Sequence, residues 1–109
     1  MEINEYMKTA FNTAVYPDVG NNIIYPTLGL VGEAGEICNK VKKIIRDNDG
    51  KMPNEVREQL IDELGDVMWY VAMCSHELKI SLNGVCERNI TKLTSRKERG
   101  VLKGSGDNR

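Results

Sequence analysis

The sequence predicts an all-α domain, and two observations carry that prediction. Apolar residues recur at a spacing of about 3.6 in four segments of the 109-residue chain, which is the period of an amphipathic helix. No segment shows the alternation of apolar and polar residues that is typical of a β-strand. We therefore expect a four-helix, bundle-like protomer that forms a single domain over residues 1–109.

The first helix is predicted from about Asn4 to Val15. The stretch YPDVGNNIIYP then breaks the helical pattern with two prolines and a glycine. Thr27 is the expected N-cap of the second helix, since its hydroxyl can accept a hydrogen bond from a free backbone N–H. Apolar residues continue at helical spacing to Ile45, until RDNDGKMP ends the helix.

The third helix is predicted to open after Pro53 and to extend to about Leu78. The fourth is predicted from about Ser81 into the basic run that starts at Arg96. Residues from about 100 to 109 are small and polar, a composition typical of a flexible tail.

Composition narrows the possible functions. A formal net charge of -1 gives no indication of binding to a nucleic acid polymer or to an anionic membrane. Three cysteines without CxxC spacing, and the lack of a long apolar run, favour the reducing cytoplasm. Because a domain of this size buries only a modest core, we also expect a homo-oligomer.

Two pairs of carboxylates lie at the edge of the apolar face of the second and third helices. Glu33 and Glu36 form the first pair, and Glu63 and Asp66 form the second; residues three apart are neighbours on a helix. An ionised carboxylate that is buried without a partner costs several kcal/mol, roughly, so a positive charge is needed nearby. A single pair of this kind is most often a solvated surface feature. Two pairs, each beside a glycine, favour a built site.

If the second and third helices pack antiparallel, the two pairs enclose a site of four oxygen-bearing side chains. Oxygen ligands suit Mg²⁺ first and Mn²⁺ second, and no histidine or cysteine lies in the motif to favour zinc. Gly32, Gly35 and Gly65 lie within or beside the acidic segments, where a glycine destabilises a helix. We interpret them as allowing close helix approach and leaving room for a hydrated metal and a ligand.

The segments EAGE (33–36) and ELGD (63–66) together resemble the ExxE and ExxD signature of the MazG-like all-α nucleoside triphosphate pyrophosphohydrolases. The resemblance extends through LGLVGEAGEICNKVKK and DELGDVMWYVA into NITKLTSRKERG and the GSGDNR end. It implies hydrolysis of a nucleoside triphosphate to the monophosphate and pyrophosphate, with magnesium held by all four carboxylates. It also implies a homodimer or homotetramer in which the partner chain builds part of the site.

Basic residues are needed to bind the phosphates. Lys40 and Lys43 lie about two turns beyond the first acidic pair, and Lys43 is the preferred candidate. Asn89, Lys92 and Arg96 share one face of the fourth helix, and the resemblance favours them as phosphate or substrate contacts. The alternative for each of these residues is an ordinary solvated side chain.

For the nucleoside, Tyr70 follows Asp66 by four residues and is predicted to line the pocket. Trp69 is interpreted as a core or interface residue, because tryptophan at helical spacing is usually packed.

The prediction is a magnesium-dependent nucleotide pyrophosphohydrolase that removes unwanted nucleotides from the cellular pool. Two alternatives stay open from the sequence. One is a specialised relative acting on dUTP or phosphoribosyl-ATP; the other is a non-catalytic helical module that assembles or regulates and binds nucleotide or metal without turnover.

Overall fold

A computed structural model describes all 109 residues and confirms the all-α prediction. The four helices are α1 (Ile3–Phe11), α2 (Ile24–Asp47), α3 (Asn54–Glu77) and α4 (Leu82–Glu98), and there is no strand. None of the four combines the length and the apolar character needed to cross a lipid bilayer.

A long antiparallel hairpin formed by α2 and α3 is the main feature of the fold. Two contacts show the antiparallel register: Thr27 lies beside Cys74, and Lys40, further along α2, lies beside Glu63, earlier on α3. On the far side of this hairpin, α1 and α4 pack against α3 and against each other, whereas α2 packs against α3 alone. One whole face of α2 therefore has no partner within the protomer.

The first helix is shorter than predicted and ends at Phe11 rather than near Val15. Beyond that point the hydroxyl of Thr13 donates to the carbonyl of Ala10 at 2.7 Å, an alternative to continued helical bonding. Pro17 also disfavours helical geometry at the residue before it. The chain leaves the helix early and turns back towards α3.

The prediction that Thr27 caps α2 is wrong, because the helix already begins at Ile24. The hydroxyl of Thr27 donates instead to the carbonyl of Ile23 at 2.7 Å, as it does inside a helix. Pro26 is tolerated in the first turn because its missing N–H needs no partner there. Asn22 satisfies the neighbouring donor, since its side-chain oxygen accepts from the Tyr25 N–H at 3.1 Å.

The starts of α3 and α4 are as predicted, after Pro53 and at Ser81. The Ser81 hydroxyl accepts a hydrogen bond from the Gly84 N–H at 3.0 Å, which caps α4.

The core lies where α1, the following loop, α3 and α4 meet. Its buried apolar residues are Ala10, Tyr16, Ala72, Met73 and Leu82. The loop is fastened to α3 by Glu77, which accepts hydrogen bonds from the Tyr16 hydroxyl at 2.5 Å, the Gly20 N–H at 2.9 Å and the Asn22 N–H at 3.1 Å. The loop that separates α1 from α2 is thereby held against the carboxyl end of α3.

The protomer is less compact than a typical domain of its length. Its radius of gyration is 16.8 Å, whereas about 13 Å is typical of a compact domain of roughly this length. Only 9 of 109 residues are buried, and many large apolar side chains of the hairpin are exposed. The most exposed on the hairpin are Ile24, Leu28, Val31, Ile45, Leu64 and Met52. This is more unpartnered apolar surface than a monomeric protein normally carries.

The segment after α4 is held by two arginines. Arg96 donates to the carbonyl of Asp107 at 2.7 Å. Arg109 donates to the carbonyls of Val101 at 3.0 Å, Gly106 at 2.8 Å and Leu102 at 3.1 Å. The composition of residues 100–109 alone gives no indication of these hydrogen bonds.

Candidate functional site

Three carboxylates converge in the middle of the hairpin. Glu33 comes from α2, and Glu63 and Asp66 come from α3; one oxygen of each lies within 4.8 Å of an oxygen of the others. Residues three apart on α3 share a face, and the antiparallel register sets that face opposite Glu33. The structure therefore brings together three of the four carboxylates that the sequence singled out.

Glu36, the fourth, lies one turn further along α2 and is exposed. It is not among the three carboxylates whose oxygens converge. Its charge nevertheless contributes to the raised pKa of Glu33, so it lies close enough to act on the cluster.

The cluster is electrostatically unfavourable without a cation. Burial raises the pKa of the Glu33 carboxyl, and the neighbouring carboxylates, Asp66 first, raise it further. Three converging oxygens with this mutual repulsion fit a hard divalent cation, which would remove the repulsion by binding between them. Glu33, Glu63 and Asp66 are the residues that could hold such a metal.

A lysine is the one cation that contacts the cluster. The Nζ atom of Lys40 lies 3.4 Å from Oε1 of Glu63. Lys43, the lysine preferred from the sequence, lies with Lys40 in a neighbouring cleft that also includes Asp47 and Gln59. The sequence signal for Lys40 was its position four residues after Glu36, on the same face of α2.

A cleft of about 350 Å³ opens beside the carboxylates. It is lined by Thr13, Glu33, Asp66, Trp69 and Tyr70. Tyr70 lies next to the acidic cluster in this cleft, and its contact with a nucleoside stays a prediction. The indole of Trp69 packs against the core and also lines the cleft, so it links the two regions.

Hydrogen bonds and ring packing fix the aromatic wall of this cleft. The Nε1–H of Trp69 donates to the hydroxyl of Thr13 at 2.8 Å, and that hydroxyl donates in turn to Ala10. The rings of Trp69 and Tyr70 meet edge to face with centroids 5.0 Å apart. Thr13 was not found from the sequence, because its partner lies 56 residues away and nothing in either segment indicates the pairing.

The glycines behave differently from the sequence interpretation. A Cβ atom added at Gly32, Gly35 or Gly65 would meet nothing within 4 Å, so close helix approach within the protomer does not require them. The glycine that is required is Gly29, where a Cβ would overlap the ring of Tyr70. Gly29 lets the ring of Tyr70 pack closely against α2, while the other three glycines leave open space around the acidic cluster.

The basic candidates on α4 lie elsewhere in the protomer. Asn89 and Lys92 line an open groove of about 540 Å³ together with Leu78 and Arg88. Arg96 is buried and donates to the tail, as described above. Because α4 does not pack against α2, none of the three candidates lines the cleft beside the carboxylates within a single chain.

Comparison with known proteins gives the chain a family. The family model described as the MazG nucleotide pyrophosphohydrolase domain matches residues 26–101, a range that includes all four carboxylates. The chain is also 54% identical over 114 residues to the "Gene 37 protein" of Mycobacterium phage L5, with 100% of each chain covered. No solved structure matches it. The family match, which spans more than half of the chain, shows that the protein belongs to the MazG nucleotide pyrophosphohydrolase domain family.

Proposed function

We propose that this protein hydrolyses nucleoside or deoxynucleoside triphosphates to the monophosphate and pyrophosphate, with Mg²⁺ held by Glu33, Glu36, Glu63 and Asp66. The observation that carries the proposal is the convergence of three carboxylates beside an aromatic cleft, in a chain of this family. Mn²⁺ is the expected substitute, because it accepts the same oxygen ligands.

The residues of the cluster have two tasks in this reaction. A triphosphate carries about four negative charges, so carboxylates can lie next to it only when divalent cations stand between them. When bound, magnesium supplies neutralisation of the phosphate charge and activation of water. A carboxylate that is not fully engaged by metal accepts the proton of the attacking water, and the bond between the α-phosphorus and the bridging oxygen breaks to release pyrophosphate.

The cleft lined by Trp69 and Tyr70 is the proposed site for the nucleoside. Aromatic side chains offer flat apolar surfaces on which a base can stack, and Thr13 holds the indole in one orientation. Because Glu33 and Asp66 line the same cleft, a nucleoside bound there would place its phosphates at the metal cluster.

A second copy of the chain completes the site in this proposal. The exposed apolar side chains of the hairpin, and a radius of gyration of 16.8 Å, support a homodimer or homotetramer. Asn89, Lys92 and Arg96 would then contact the triphosphate bound at the partner's carboxylates. Lys43 lines the same cleft as Lys40 on its own chain and would add a further positive charge there. Light scattering on the purified protein should give the mass of a dimer or tetramer; the mass of one chain would contradict the assembly.

The activity is tested by pyrophosphate release from a panel of standard and modified nucleoside triphosphates. Mg²⁺, Mn²⁺ or a chelator is supplied in parallel. We expect release that requires the metal and leaves monophosphate, as suits an enzyme that cleans the cytoplasmic nucleotide pool. A folded protein that binds metal but turns over nothing in the panel would contradict the proposal and favour the non-catalytic module. Turnover of dUTP or phosphoribosyl-ATP alone would identify the specialised enzyme.

A further inference from the structure

The ion pair between Lys40 and Glu63 differs from the other two ion pairs in the protein. Those two join sequence neighbours, Arg46 with Asp47 and Arg57 with Glu58, and their side chains are exposed by half or more. Lys40 and Glu63 join two helices, and their side chains are only 26% and 16% exposed. Lys40 therefore forms its ion pair with one particular carboxylate of the cluster, that of Glu63.

Two opposite roles are available to Lys40. It could keep Glu63 in the geometry that a metal needs, in which case losing the lysine would weaken metal binding. Alternatively, it could occupy Oε1 of Glu63 as a temporary counter-ion, in which case metal and lysine would compete for the same oxygen. The distance of 3.4 Å between Nζ and Oε1 is longer than that of a strong charge-assisted hydrogen bond, which favours exchange over a fixed support.

We propose that Lys40 is a displaceable counter-ion: a divalent cation takes its place at Glu63, and the freed ammonium then binds the β- or γ-phosphate of the substrate. A lysine suits both positions because its charge sits on a long, flexible stem with three donors. The released side chain would remain beside the carboxylates, where the triphosphate arrives. The second half of this inference rests on the proposed function, whereas the first half concerns metal alone.

The decisive experiment measures Mn²⁺ binding without nucleotide, through the electron paramagnetic resonance signal of free Mn²⁺. The proteins compared are the wild type, Lys40→Met, Lys40→Arg and the matched control Lys42→Met, which removes an exposed lysine from the same helix. We expect Lys40→Met to bind Mn²⁺ roughly threefold to tenfold more tightly, since the competitor for Glu63 is gone. Lys40→Arg should bind it no more tightly than the wild type, and Lys42→Met should stay within about twofold of it.

Mn²⁺ binding by Lys40→Met that is unchanged or weaker would overturn the competition and favour the supporting role. A gain of the same size in Lys42→Met would also overturn it, because any nearby positive charge would then have the same effect. Thermal unfolding of each variant establishes that the comparison is made between folded proteins.

The phosphate half is tested at saturating Mn²⁺ with a triphosphate whose α,β-bridging oxygen is replaced by a methylene group. We expect Lys40→Met to bind this analogue roughly tenfold more weakly and to bind the monophosphate as the wild type does. Equal loss for both ligands, or no loss for either, would overturn this half. Neither titration needs turnover, so an inactive wild type would contradict the proposed function and leave the competition between Lys40 and metal unaffected.

Discussion

Two parts of α3 belong to one amphipathic helix, yet they have opposite surroundings; we call residues 54–68 its amino part and residues 69–77 its carboxyl part. The carboxyl part contains Ala72, Met73 and Ser75, which are buried against α1 and α4. The amino part contains Ile61, Leu64 and Met68, which are 46%, 58% and 42% exposed. The two carboxylates that α3 contributes to the candidate metal site lie in this amino part.

This difference separates stability from function along a single helix. The carboxyl part has its apolar partners within the chain, so it supplies the core that keeps the protomer folded. The amino part carries converging carboxylates and exposed apolar residues, and the chain itself covers neither completely. A cation suits the charges, and a second copy suits the apolar surface in the proposal made above.

Truncating one methionine in each part of α3 gives the largest expected contrast. Met73→Ala should lower the free energy of unfolding by about 2 to 5 kcal/mol, because Met73 is fully buried and leaves a cavity. Met68→Ala should lower it by less than about 1 kcal/mol at protein concentrations too low for assembly. Urea unfolding followed by circular dichroism at low and high protein concentration measures both.

At high concentration the cost of Met68→Ala should increase, since its proposed partner is a second copy. Equal costs for the two variants at every concentration would contradict the division of α3 into a buried carboxyl part and an open amino part.

The sequence was sufficient to predict the helices and the acidic site, but not to predict which part of α3 is buried. Helical spacing predicted the four helices. The spacing of the carboxylates indicated that Glu33, Glu36, Glu63 and Asp66 would share a site, and the structure brings the oxygens of all but Glu36 together. The sequence could not tell which apolar face would be covered, because an exposed Leu64 and a buried Met73 look alike in a pattern. The sequence also gave no signal for the roles of Thr13, Glu77 and Gly29, because each contacts a partner that is distant in sequence.

The second contrast compares two neighbouring acids of α3. Asp66→Asn should reduce pyrophosphate release at least about a hundredfold, because even residues that only orient metal ligands cost up to that much when lost. Asp62→Asn removes an exposed carboxylate outside the cluster and should leave the rate within about twofold. Initial rates at saturating Mg²⁺ make the comparison.

Glu36→Gln extends this test to the carboxylate that stands outside the converging three. A loss as large as that of Asp66→Asn is expected if Glu36 joins the metal in the loaded protein. Full activity in Glu36→Gln would remove it from the proposed ligand set, and full activity in both variants would refute the metal site.

The third prediction concerns the carboxyl end of α3, where Glu77 fastens the loop. Burial opposes ionisation of Glu77, but hydrogen bonds from Tyr16, Gly20 and Asn22 outweigh it and hold its pKa below the ordinary value of 4.5. A carboxyl with a lowered folded pKa stabilises the fold above its unfolded pKa and loses that stabilisation as the pH falls through the folded value. Glu77→Gln should lower the free energy of unfolding at pH 7 by about 1 to 3 kcal/mol.

The check is thermal unfolding from pH 7 down to the acid limit of the fold. Wild type should lose stability below about pH 4.5, and the difference between it and Glu77→Gln should shrink over the same interval. A difference that stays constant with pH would show that the variant acts through packing rather than through the charge of Glu77.

The smallest expected effect lies where the two regions meet, at the hydrogen bond from Trp69 to Thr13. Thr13→Val keeps the shape of the side chain but removes the acceptor, so the indole loses its fixed orientation in the cleft. We expect binding of a nucleoside triphosphate to weaken by about fivefold, in line with roughly 1 kcal/mol for one hydrogen bond, while Thr13→Ser retains wild-type affinity.

Trp69 is the sole tryptophan, so its fluorescence reports both its own environment and the arrival of the base. The emission of Thr13→Val should shift before nucleotide is added, which separates a displaced indole from a general loss of stability. An unshifted spectrum with unchanged affinity would mean that packing against the core alone fixes Trp69. The orientation of the cleft wall would then depend only on the buried carboxyl part of α3, and not on the hydrogen bond to Thr13.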